Sequence, residues 1–226
     1  MPTHPIVIAP KLAFSHSSLK DFENCPLSFY HKRIAKDVAF VQTDAARWGE
    51  EVHKHFENRV KLRTPLPHTL APFEPTLALF DGKESEVELK MAINDKMQPT
   101  EWMADDVWIR GIADVMVRLS ESKVWIGDYK TGKRRPDFSQ LKLFSLLVWQ
   151  HHPEVEECTT SYIWTQDKRM DTEVFHRKDA NKMWEEVISK IRRVYKANDS
   201  GNWPAKPSGL CGWCDVKKQL GCVYAR

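Results

Sequence analysis

Ile126-Gly127-Asp128-Tyr129-Lys130-Thr131-Gly132 is the end of an apolar run, Lys123 to Tyr129, that reads as a strand. Residues two apart on a strand project to one face, so Asp128 and Lys130 point together where the chain leaves the sheet. A second apolar run, Val107 to Leu119, precedes it across the tight turn Ser120-Glu121-Ser122. Both runs are apolar on both faces, which is the pattern of central strands in a covered sheet. Asp114 and Asp128 lie equally far on either side of Glu121, so a hairpin there sets the two carboxylates side by side.

Two converging carboxylates repel unless a cation sits between them, and hard oxygen ligands with open positions suit Mg²⁺ or Mn²⁺. Such an ion activates water and clamps a phosphate, while a neighbouring ammonium stabilises charge on the phosphoryl oxygens. A bare Asp-x-Lys is common at solvated strand ends and proves little alone. Three features add weight. Asp114 is embedded in an apolar strand, where an unpaired charge is costly. His53 borders a buried helical stripe, and imidazole is a frequent metal ligand. Gln140 opens the next helix, with basic Lys133, Arg134 and Arg135 in between to hold phosphates.

Further out, Ser18 followed by Asp21 resembles a capping box, so a helix is expected over about 15–36, with Cys25-Pro26 early in it. Pro26 suits a first turn and would kink a longer helix. Trp48, Val52, Phe56 and Val60 recur every four residues and predict a second helix with one buried stripe. Pro65, Pro67, Pro72 and Pro75 mark an irregular connection. Val87, Leu89, Met91 and Ile93 then alternate with Glu86, Glu88 and Lys90, as in a half-buried strand. Ser139 to His151 is expected to be helical. Ser161 to Thr165 and Thr172 to His176 form a hairpin around Asp167-Lys168-Arg169, and Asp179 to Ala197 is an amphipathic helix.

The chain has 226 residues, 42% hydrophobic and 29% charged, enough for one well-packed domain. Its formal net charge of +3 permits a nucleic-acid partner without arguing for one. No apolar run approaches membrane-spanning length, and the Ile6-Val7-Ile8 patch is too short for a signal peptide. The expected location is the reducing cytoplasm of a bacterial or phage-infected cell. Gly127-x-x-x-x-Gly132-Lys133 nearly spells a phosphate-binding loop, but Arg134 stands where the metal-binding hydroxyl belongs.

Five cysteines, an odd number, argue against a disulfide framework. Cys211-Gly-Trp-Cys214 and Cys222 crowd a Gly/Pro-rich tail, 202–226, and clustered thiols in a reducing compartment are usually metal ligands. Cys25 is the candidate fourth ligand, with structural Zn²⁺ as one reading of the metal. Cys158 has no partner at ligand spacing and is expected to be a core thiol.

The order His53, Glu88, Gly111-x-x-Asp114, Asp128-Tyr-Lys130-Thr-Gly, Gln140 resembles the PD-(D/E)XK nuclease superfamily, in particular its RecB-like branch. The opening Ser18-Leu-x-x-Phe-x-x-Cys25-Pro26 and Gly49-x-x-Val-His53 match that branch too, so the resemblance covers nearly the whole chain. It implies a single domain, 1–226, of α/β class: a restriction-endonuclease-like mixed central sheet flanked by helices, with a C-terminal cysteine-bound cap. It implies that His53, Asp114 and Asp128 bind the metal with help from the Tyr129 carbonyl. Lys130 would orient or activate water, and Gln140 would contact the substrate or the site. Glu88 either reaches the site or is an exposed strand residue. Where the branch often has Tyr, this chain has Phe144, so a hydroxyl role there is lost.

The resemblance extends to iron–sulfur nucleases of the CRISPR-adaptation and AddB types, implying a 4Fe–4S cluster on Cys25, Cys211, Cys214 and Cys222. The implied activity is Mg²⁺- or Mn²⁺-dependent hydrolysis of DNA, as an exonuclease on ends or single strands in recombination, repair or replication. Homo-oligomers or a recombination or replication partner fit that setting. The alternative from another class is a non-catalytic DNA-binding or scaffolding subunit with a structural metal cluster.

Overall fold

The protein, as a computed structural model, is described over residues 12–135 and 137–224, so the Ile6-Val7-Ile8 patch lies outside the described residues. The expected hairpin forms: β2 (Ile109–Ser120) pairs antiparallel with β3 (Lys123–Lys130), Val115 opposite Gly127. Helix α5 (Ser139–His151) then crosses over and returns the chain as β4 (Glu157–Trp164), parallel to β3. Strand β1 (Ser85–Ile93) flanks β2 and β5 (Arg169–His176) flanks β4, both antiparallel, which gives a five-stranded mixed sheet in the order β1-β2-β3-β4-β5. The β4–β5 hairpin is longer than the sequence pattern implies, because full pairing recruits polar residues such as Thr159 and Arg169 into the ladder.

Helices cover both faces. One core layer joins α5, α1 (His16–Asn24) and α6 (Ala180–Ser200), with Leu141, Leu147, Leu19, Phe22, Val187 and Ile191 meeting Met91, Ile109 and Ile126 of the sheet. The other is smaller. There α3 (Asp44–Leu62) and α4 (Glu74–Ala78) bring Val52, Phe56, Val60 and Leu77 onto Val115, Val117 and Tyr129. Arg59, buried, ties α3 down by gripping Asp81 at 2.9 and 3.0 Å and bonding to Glu74. Among the described residues no helix is long and apolar enough to cross a membrane.

The N-terminal region departs from expectation in its punctuation. Ser15, rather than Ser18, is the N-cap, and Ser18 is its partner three residues on: Ser18 N–H donates to Ser15 Oγ, and Ser15 N–H donates to Ser18 Oγ. The single helix expected to about residue 36 breaks at Cys25. Pro26 lacks an N–H and starts a new turn, α2 (Pro26–Phe29), followed by a π-helical turn over Tyr30–Ala35. Trp48 is 44% exposed, outside the buried stripe of Val52, Phe56 and Val60. The proline-rich connection holds a 3₁₀ turn, His68–Phe73, as well as α4.

Strict alternation fails at one rung of the sheet. Leu89, Met91 and Ile93 of β1 pack on the α5 side, but Val87 packs on the α3 side. Glu88 between them has φ of 51°, in the left-handed region that non-glycine residues seldom occupy, and the chain reverses its facing there. Strand β2 does the same at its partner position: Ala113 faces α5, whereas Val115 and Val117 face α3. Since Val87 pairs with Val115 and Leu89 with Ala113, Glu88 stands opposite Asp114 at the reversal. Two glycines let helices close on this region. A Cβ on Gly111 would lie 2.9 Å from the Phe144 ring, so α5 sits tight against β2. A Cβ on Gly49 would lie 3.2 Å from the Thr131 hydroxyl, where α3 passes the end of β3.

Candidate active site

The acids meet where β2 and β3 stop pairing. Two residues past Gly127 of the last rung, the Tyr129 N–H donates to the Asp114 carboxylate at 2.6 Å instead of to a strand carbonyl. That bond orients Asp114, which is 8% exposed, and turns the Tyr129 carbonyl toward α3. His53 Nε2 reaches that carbonyl at 2.9 Å, and its Nδ1 lies 3.3 Å from Asp114 Oδ1. Ligand atoms of His53, Glu88 and Asp114 all lie within 4.8 Å of one another. Glu88, left open between site and surface in the sequence, thus joins the acid cluster through the reversal in β1.

Asp128 and Lys130 face the α5 side of the same point. Asp128 is 2% exposed; Gln140 Nε2 donates to its Oδ1 at 2.7 Å, and Lys130 Nζ lies 2.5 Å from its Oδ2. Lys130 Nζ also donates to Gln140 Oε1 at 2.9 Å and sits 5.3 Å from the Tyr162 ring centroid. Gln140 therefore fixes both side chains at once. It stands at the start of α5, which is anchored by His16 Nε2 on Ser139 Oγ at 2.9 Å and by the Tyr162 hydroxyl donating to the Asp137 carbonyl at 2.8 Å.

The electrostatics record crowding of negative charge. Burial, then the neighbouring Asp114 charge, pushes the Asp128 acid up to about 7 against the pull of Lys130. Burial and Asp114 likewise raise Glu88. Burial opposes charge on His53, but the Asp114 carboxylate and the Tyr129 carbonyl outweigh it and hold the imidazole up at about 9. Asp128 Oδ2 makes no well-directed hydrogen bond despite the nearby ammonium. One imidazole, three carboxylates and a backbone carbonyl are the donor types a divalent cation takes, and the residues fit such an ion.

Not every expected residue gathers here as expected. Asp128 is engaged by Gln140 and Lys130, outside the tight set of His53, Glu88 and Asp114, and the Tyr129 carbonyl is occupied by His53. Of the basic run, Lys133 and Arg135 are exposed, but Arg134 is clamped to Asp171 of β5 at 2.5 and 2.8 Å, so its charge is already matched. Nothing local in the sequence signals that pairing across 37 residues. Cys158 is buried as expected, and burial pushes its thiol up to about 12.

The four remaining cysteines do converge on one place. Cys25, Cys211, Cys214 and Cys222 line a cavity of about 210 Å³ between α1–α2 and the tail, which carries a 3₁₀ turn (Gly209–Trp213) and α7 (Asp215–Leu220). Backbone N–H groups of Lys206 and Ser208 point at the sulfurs of Cys25 and Cys211, each at 3.4 Å. A closed cysteine cluster is not formed: among the described residues no three of these sulfurs lie within 4.8 Å of one another.

The model of the PD-(D/E)XK nuclease superfamily matches residues 13–219. Two solved structures share the fold. SSO0001 is 15% identical, with a TM-score of 0.51 over 94% of this chain and 87% of that one. A protein of Eubacterium rectale named a putative exonuclease is 14% identical, with a TM-score of 0.54 over 90% of this chain and 87% of that one. No curated protein sequence matches this chain.

The charge crowding predicts a stability effect in chelator. An acid raised from 3.8 to about 7 on folding holds a proton that unfolding releases, so the contribution of Asp128 to stability falls as pH rises across that window. Asp128→Asn removes this slope and melts higher than wild type at pH 8, by about 1 kcal/mol or more. Thermal denaturation from pH 4 to 8 checks it; an unchanged slope would contradict the buried-acid account.

Proposed function

The chain belongs to the PD-(D/E)XK nuclease superfamily, and on that premise we propose that it is a Mg²⁺- or Mn²⁺-dependent deoxyribonuclease acting on DNA ends or single strands. The observation that carries this reading is the cluster of His53, Glu88 and Asp114, with Asp128 held beside it by Lys130 and Gln140. The name of the E. rectale structure supports exonuclease action over site-specific cutting. Recombination, repair or replication is the setting such an activity serves.

His53, Glu88 and Asp114 are the first candidates to hold the ion, with Asp128 and the Tyr129 carbonyl bordering them. A divalent ion held there supplies Lewis acidity to a phosphate oxygen and to water. The protein's own groups do the rest. Lys130, positioned by Gln140 and Asp128, keeps an ammonium beside the acids, where it orients the attacking water and offsets charge on the phosphoryl oxygens. Gln140 holds that ammonium and the Asp128 carboxylate in fixed relation, so neither must reorganise during reaction. Lys133 and Arg135, exposed at the exit of β3, hold flanking phosphates.

The cavity lined by Cys25, Cys211, Cys214 and Cys222 suits a bound metal centre that staples the tail to α1 and α2. The N–H groups aimed at two of the sulfurs match the hydrogen bonds that thiolate ligands of such centres accept. A 4Fe–4S cluster is the favoured occupant, with structural Zn²⁺ the competing one.

End-labelled DNA incubated with Mg²⁺ or Mn²⁺ is cut by the wild type, and Asp128→Ala abolishes cutting. Lys130→Ala lowers the rate by about two to three orders of magnitude while DNA binding persists. Wild-type rates in both variants would overturn the site, and binding without cutting by the wild type would favour a scaffolding subunit. Protein purified without oxygen carries iron and inorganic sulfide, which Cys25→Ser loses together with several degrees of melting temperature. Stoichiometric zinc instead would decide for the other centre.

A further inference from the structure

Past the Glu88–Asp114 rung, the odd-numbered residues of β1 and β2 turn toward α5, which leaves Lys90, Arg110 and Ile112 on the opposite face of the hairpin. Trp102, from the loop between the strands, lies over this face. The Arg110 guanidinium carbon is 4.8 Å from the centre of its ring, and Lys90 Nζ is 5.9 Å from it. Arg110 Nη1 also donates to the Trp102 carbonyl at 3.3 Å, so the indole and the guanidinium are held as one unit. Met103, 78% exposed, extends the surface outward, and Lys90 is exposed on the edge strand.

This surface is continuous with the acid cluster. Lys90 is two residues beyond Glu88, roughly 7 Å along the strand, and Arg110 is four residues before Asp114, roughly 13 Å away. A chain of phosphates that reached the site across this face would meet two cations and one indole within a few nucleotides. Phosphate recognises the cations, and an aromatic ring is a platform for a base whose face is free. Only unpaired bases present that face, since in a duplex the neighbours cover it.

We propose that the Lys90–Trp102–Arg110 face of the β1–β2 hairpin is a binding track for the unpaired strand of the DNA substrate, with a base stacked at Trp102 and phosphates on Lys90 and Arg110. The proposal rests on the nuclease reading and adds the route by which the strand enters. It makes these residues positioning residues for substrate, apart from the groups that touch the scissile phosphate.

The test is fluorescence anisotropy of a labelled oligothymidine in chelator, with cleavage of the same oligonucleotide measured separately in Mn²⁺. Trp102→Ala weakens binding about tenfold, equivalent to about 1.4 kcal/mol, and Trp102→Phe restores most of it. Lys90→Gln lowers the slope of log affinity against log salt by about 0.7. In cleavage, Trp102→Ala raises KM and leaves kcat near wild type, and a blunt duplex shows a smaller change. Lys90→Gln, an exposed substitution, keeps the result interpretable should the tryptophan variant fold poorly. If the wild type binds and cuts while Trp102→Ala and Lys90→Gln match it in affinity and salt slope, the track is refuted and the nuclease reading stands. If the wild type neither binds nor cuts, the nuclease reading fails and the track falls with it.

Discussion

The site depends on one hydrogen bond, from the backbone N–H of Tyr129 to the carboxylate of Asp114 at 2.6 Å. Where β2 and β3 part, a strand N–H would otherwise be left buried without an acceptor, at a cost of about 1–3 kcal/mol. Asp114 meets that need and is itself held in a place where an isolated carboxylate would be costly. The same bond leaves the Tyr129 carbonyl free to face His53, and it directs Asp128 and Lys130, on either side of Tyr129, toward Gln140. The backbone irregularity and the chemistry of the site are thus one feature.

The surrounding structure is arranged to hold that feature rigid. Arg59 binds α3 to Asp81 and Glu74, which fixes the helix that carries His53. Gly111 lets α5 press against β2, and its first residues carry the glutamine that joins Asp128 to Lys130. Against this framework, the acid cluster stores repulsion: burial and Asp114 lift the Asp128 acid to about 7. Preorganised charge of this kind costs stability in the free protein and is recovered when positive charge enters.

Much of this was legible in the sequence, and for physical reasons. The Asp128-x-Lys130 spacing and the symmetric placement of Asp114 about Glu121 follow from strand periodicity and hairpin closure, both of which the structure shows. The period of Val52, Phe56 and Val60 located α3, and Cys158 read correctly as a core residue. What failed depended on exceptions to periodicity. Glu88 could not be placed because a positive φ in the middle of a strand leaves no local signature in residue type, and alternation put Val87 and Leu89 on one face when they lie on two. Arg134 counted as a free cation because its partner Asp171 is contributed by a distant strand. Trp48 fitted the buried stripe by spacing, yet it lies on the first turns of α3, where little covers it.

The reversal at Glu88 and Asp114 brings donor atoms of His53, Glu88 and Asp114 within 4.8 Å of one another, the set proposed to hold a divalent ion. Calorimetric titration of Mn²⁺ into the wild type and Glu88→Gln tests that assignment, since Glu88 is exposed and its amide changes charge with little change of shape. The wild type is expected to show one strong site per chain, and the variant at least tenfold weaker binding. Equal affinity in both proteins would show that Glu88 merely lies near the acids and is not a ligand.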